Sequence, residues 1–89
     1  MFQLPEELQI NNVATLHQSL IELLDEGKEI EIDINQVVQA DTASVQLLCA
    51  LQKHLLSTQL KIQWHGKSDA LIASAKSLGV LTFLEIEQS

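Results

Sequence analysis

An α/β domain with a mixed, mostly parallel sheet and helices mainly on one face is the fold class that this sequence predicts, as one domain over residues 1–89. Three observations predict it. Two runs alternate apolar with polar side chains: Ile30, Ile32 and Ile34 against Glu29, Glu31 and Asp33, and Leu60, Ile62 and Trp64 against Lys61, Gln63 and His65. That is strand periodicity with one buried face. A helical run from about Thr42 to Leu56 separates them, and strand, helix, strand over ~35 residues is a βαβ unit with parallel strands. Strands buried on both faces read as unbroken apolar runs. Here each keeps a polar face, so Glu31, Asp33 and Lys61 are expected together on an open side of the sheet.

The elements follow in order. Phe2-Gln3-Leu4 and Leu8-Gln9-Ile10 alternate, but Pro5-Glu6-Glu7 separates them. Proline cannot donate to a ladder, so a short, irregular edge strand or hairpin is expected. Asn11-Asn12 suits an N-cap. Val13, Leu16, Leu20, Leu23 and Leu24 then recur at helical spacing, His17 and Ile21 widen the apolar face, and Gly27 stops the helix. After the first strand, the long helix is apolar over Val45, Leu48, Cys49, Leu51, Leu55 and Leu56. His65-Gly66-Lys67 turns the chain after the second strand. Ser68 or Asp69 caps a third helix, Ala70 to about Leu78, which Gly79 ends, and Leu81 to Leu84 forms a short fourth helix. Ile30, Ile32, Leu48, Leu51, Ile62 and Leu71 are the expected core.

Composition narrows the function. The net charge of −7 argues against nucleic acid and against an unaided grip on anionic lipid. No apolar run approaches the ~20 residues of a membrane span. Residues 1–6 have neither a basic region nor an apolar signal core, so a cytoplasmic address is expected. The single cysteine, Cys49, reads as a packed thiol. His17, His54 and His65 have no second ligand at metal-site spacing, so no metal is expected. The isolated glycines form no phosphate loop, and there is no nucleophile elbow or Ser-His-Asp arrangement. Neither an enzyme nor a cofactor is indicated.

The distinctive segment is Asp41-Thr42-Ala43-Ser44, at the carboxyl end of a strand and the start of a helix. Helix N-termini carry unpaired N–H groups and about half a positive charge. Chemistry alone reads Asp41 and Thr42 as capping residues. It also places a phosphate on Thr42 or Ser44 where a helix tolerates it.

The strand Glu29-Ile30-Glu31-Ile32-Asp33-Ile34, the bend Val37-Val38-Gln39-Ala40 and the start Asp41-Thr42-Ala43-Ser44-Val45-Gln46-Leu47-Leu48 together resemble a STAS domain, the fold of anti-sigma-factor antagonists. Leu60-Lys61-Ile62-Gln63-Trp64 and Leu78-Gly79-Val80 fit as well. The resemblance implies a non-enzymatic signalling protein that docks to a protein partner and is switched by phosphorylation just after the motif Asp, which is Asp41 here. Thr42 matches the first hydroxyl position and is the implied acceptor. Ala43 occupies the second, and Ser44, where Gly is usual, is the second choice. Val45 stands where Leu is usual. The implied docking surface is Asp41, Thr42, Ala43, Ser44, Val45, Gln46 and Lys53. The Asp-Thr-Ala start, the Gln-Leu-Leu continuation and the Leu-Pro-Glu-x-Leu opening are similar to small bacterial STAS proteins encoded with chemotaxis genes. The STAS subunit of the phospholipid-transport ABC complex is similar in size and gives the alternative. The implied partner is an anti-sigma kinase, a chemotaxis protein or a transporter ATPase.

Overall fold

The computed structural model describes residues 2–9 and 13–86. In chain order these form β1 (Phe2–Gln3), β2 (Glu7–Leu8), α1 (Val13–Leu24), β3 (Ile30–Asp33), β4 (Gln39–Ala40), α2 (Thr42–Ser57), β5 (Ile62–His65), α3 (Asp69–Ser77) and α4 (Leu81–Leu84). The two alternating runs pair as adjacent parallel strands, with Ile30 opposite Ile62 and Ile32 opposite Trp64. β1 adds in parallel on the other side of β3, giving the order β1-β3-β5. The crossover helix α2 connects β3 and β4 to β5.

The alternation sorts the two faces of the sheet. Ile30, Ile32, Ile34 and Ile62 are buried and join Leu48, Leu51, Leu55 and Leu71 in one aliphatic core. Glu29 and Glu31 are exposed. Across the strands, Gln63 Nε2 donates to Glu29 Oε1 at 2.8 Å, and His65 Nε2 stands 3.0 Å from Glu31 Oε1. Lys61 does not join this face as expected: its Nζ lies 3.7 Å from Glu85. The reason is local. Thr58 caps α2, Gln59 takes φ 65°, and Leu60 N–H returns to Leu55 O at 2.8 Å. That helix-closing motif consumes Leu60, so the strand starts at Ile62.

The opening segments correct the hairpin expectation. β1 and β2 do not pair with each other. β1 lies along β3, and β2 runs parallel to β4 in a separate two-stranded sheet. Leu4 N–H still reaches Asp33 O at 3.0 Å, after which Pro5 lacks a donor and the chain changes partner. The bend after Ile34 therefore contains a strand, β4, that periodicity could not show in two residues. Two helix faces are also narrower than expected. His17 and Ile21 are exposed, as is Leu56, while Cys49 is half-buried. Ile10 and the Asn11-Asn12 cap lie outside the described residues.

Gly66 holds the turn after β5. Its φ of +88° suits glycine, and a Cβ there would collide with the Asn35 side chain. Asn35 Oδ1 accepts from Lys67 N–H at 3.1 Å, so this close approach joins the ends of β3 and β5.

Candidate functional site

The start of α2 is fixed from three directions. Asp41, in an extended conformation (φ −90°, ψ 171°), is the N-cap, and its Oδ1 accepts from Ser44 N–H at 2.9 Å. Asp41 N–H in turn donates to Leu8 O at 2.9 Å, which ties the cap to β2. From the other side α3 supplies two hydroxyls. Ser74 Oγ donates to Ala40 O at 2.6 Å, and Ser68 Oγ donates to Val37 O at 2.7 Å while accepting from Leu71 N–H at 3.1 Å. Ser68 is thus both the cap of α3 and a clamp on the bend. Glu6 O accepts from Val38 and Gln39 N–H groups at 2.8 and 3.2 Å. A helix start held this way is a rigid platform rather than a loose loop.

The structure divides the candidate residues into two groups. Thr42 is exposed as the first helical residue, and Gln46 and Lys53 are exposed further along α2. Residues 42, 46, 50 and 53 share one helix face, and Ala50 is exposed too. Ser44 and Val45, by contrast, are 0% exposed, and Ala43 is half-buried. The burial of Ser44 removes it as a second phosphate acceptor and removes Ser44 and Val45 from any contact surface of the folded chain. Its Oγ has no hydrogen-bond partner among the described residues, which fits a position where a small side chain packs tightly. Capping also falls on Asp41 alone, and Thr42 is free of that duty.

Two residues near the platform escape sequence reasoning. Val38, in the bend between β3 and α2, is 67% exposed at the approach to α2. Gln52, on the polar-seeming side of α2, is 0% exposed. Its Oε1 accepts from Ile62 N–H at 2.9 Å and its Nε2 donates to Phe83 O at 3.2 Å. Trp64 Nε1 donates to the next carbonyl, Leu84 O, at 2.6 Å. These bonds anchor α2, β5 and α4 to each other, and only the placement of β5 and α4 beside α2 reveals them.

Electrostatically, α2 stands apart from an acidic chain. Within Thr42–Ser57 there is no carboxylate, and Lys53 and His54 are its basic residues. Burial pushes the Cys49 thiol above its usual range, so it remains protonated at neutral pH and is a packed group rather than a nucleophile. Among the described residues no cluster of three or more His, Cys, Asp or Glu side chains could hold a metal ion, and no helix is long and apolar enough to cross a membrane. The arrangement offers a rigid exposed helix start with an accessible hydroxyl.

Comparison with protein families matches the chain over residues 1–85 to the family described as Mlab, STAS domain. No curated protein and no solved structure matches the chain.

Proposed function

The chain belongs to the STAS domain family, and from that premise we propose that it is a non-enzymatic signalling module of the cytoplasm that docks a protein partner through the exposed start of α2. STAS domains are in general anti-sigma-antagonist-like binding domains. The contact surface proposed for this chain is Thr42, Gln46 and Lys53, with Val38 at its approach. The observation that supports it best is the exposure of Thr42 on a helix start pinned by Asp41, Ser68 and Ser74. A docking site built on braced secondary structure loses little freedom when a partner binds.

Thr42 is also the proposed switch. Its hydroxyl is accessible to a kinase, and a phosphate there adds about two negative charges beside the Asp41 carboxylate. The helix N-terminus offsets part of that charge within the fold. A partner seated against this surface meets all of it. Partner affinity therefore changes while the fold persists, as a binding switch requires.

The test is capture of the partner on immobilised wild-type protein, with Thr42→Glu and Gln46→Glu proteins as controls, and identification of what is retained. A kinase or chemotaxis protein lost from both variants supports the reading. Retention of a transporter ATPase would assign the chain to a transport complex instead. Equal retention of a specific partner by all three proteins would exclude this surface. Ser44→Glu has no place in the test, because a carboxylate at a fully buried position damages the fold itself.

A further inference from the structure

We propose that the groove between α1 and α2 is a self-association face, occupied by α1 of a second copy of this chain across a twofold axis. This goes beyond the docking function and does not depend on it. The groove has a volume of about 430 Å³ and an apolar floor of Leu20, Leu24, Leu47 and Leu51, with Ile21 at its opening, 39% exposed. His17 and Asp25 lie on its rim, both exposed. Neither side chain has a hydrogen-bond or ion-pair partner among the described residues.

The spacing of these residues selects the occupant. His17, Ile21 and Asp25 follow one another at intervals of four, so they line up along α1 about 6 Å apart. Asp25 continues the turn, since its N–H reaches Ile21 O at 3.3 Å. A twofold axis through Ile21 lays two α1 helices antiparallel. It brings Ile21 against its own copy and His17 against the carboxylate of the other copy's Asp25, twice over. A twofold contact must be self-complementary in this sense, and an apolar centre flanked by unlike polar groups at equal distances is so. Helices packed 8–10 Å apart leave room for an imidazole N–H to reach that carboxylate.

The net charge of −7 per copy opposes association, and on this face the opposing carboxylates come from α1 and the turn after it, Glu22, Asp25 and Glu26, with Glu26 paired to Lys28. Glu29 and Glu31 are exposed on the opposite, polar side of the sheet, and α2 contributes no carboxylate to the groove. A second copy approaching over α1 and α2 therefore meets the carboxylates of Glu22 and Asp25 at α1 and none from α2.

Sedimentation of the full chain from low micromolar to millimolar concentration tests this. A monomer–dimer equilibrium is expected, with the dissociation constant raised at least tenfold by Ile21→Glu. His17→Asp and Asp25→His each set like groups together across the axis and weaken the dimer. An equimolar mixture of those two variants restores both unlike contacts and forms a heterodimer tighter than either variant alone. All three positions are exposed, so the variants keep the fold; should Ile21→Glu fail to fold, the exchange of His17 and Asp25 decides. A chain that remains monomeric throughout, a dimer insensitive to Ile21→Glu, or a mixture no tighter than its components would each overturn the proposal.

Discussion

Replacing Gln52 by leucine should cost more stability than any other polar-to-apolar change in α2. The side chain is fully buried and bridges Ile62 N–H at 2.9 Å and Phe83 O at 3.2 Å. Leucine has nearly the same volume, so the loss comes from orphaned backbone groups rather than a cavity. A buried donor left without a partner costs about 1–3 kcal/mol, and Ile62 N–H bears all of that. Phe83 is 40% exposed, so its carbonyl finds water more readily and adds roughly 0.5–1 kcal/mol. Added apolar burial in leucine returns a fraction. The expected net loss is about 2–3 kcal/mol by urea unfolding followed by circular dichroism, with Tm lower by roughly 10–20 °C for a domain of this size. Against a total of about 5–15 kcal/mol that is a large share. Gln52→Glu should be worse at neutral pH, because its buried carboxylate keeps the Ile62 bond only by facing the Phe83 carbonyl. Burial raises the folded-state pKa of such a group above its unfolded value. Its deficit relative to wild type should therefore be smallest below the unfolded pKa and grow as pH rises through the folded one. A loss under 1 kcal/mol for Gln52→Leu would refute the bridge.

Three further outcomes follow from the backbone. Asp41→Ala should cost about 0.5–2 kcal/mol while Thr42→Ala stays within ~0.5 kcal/mol, since the cap belongs to Asp41; equal losses in thermal melts would contradict that division. Gln59→Gly should stabilise the chain by about 1 kcal/mol, because a non-glycine residue sits at φ 65° where α2 ends; a lower urea midpoint would count against it. Gly66→Ala should destabilise by more than ~1 kcal/mol through both its φ of +88° and the collision with Asn35, and pairing it with Asn35→Ala should recover the steric part only.

The βαβ unit was legible because its signals are long and redundant. Two strands alternate over four or more residues, and α2 carries apolar residues at helical spacing for four turns. All six expected core residues, Ile30, Ile32, Leu48, Leu51, Ile62 and Leu71, are buried. The short helix α4 was legible at Leu81–Leu84, but the pairing of the two-residue strands was not. β4 is two residues long and exists through its pairing with β2, a contact across the chain that no local pattern encodes. The expected surface included Ser44, which lies fully buried under neighbouring elements, and the burial of Gln52 follows only from β5 and α4 beside α2. The exposure of Val38 depends on the clamps at Glu6 and Ser68 that hold the bend, which no local pattern encodes. Within the candidate site, Asp41 was legible as a cap, and the residue pattern directed attention to Thr42. Which of residues 42–46 face water depended on how α2 settles against α1, α3 and α4.

The central claim is that the exposed start of α2 carries partner binding and that Thr42 is its switch. The most direct measurement is calorimetric titration of the captured partner into wild-type, Thr42→Ala and Thr42→Glu proteins, each shown folded by circular dichroism. The account predicts near wild-type affinity for Thr42→Ala and at least tenfold weaker binding for Thr42→Glu, about 1.4 kcal/mol or more. Unchanged affinity for Thr42→Glu, with Gln46→Glu also unaffected, would contradict it.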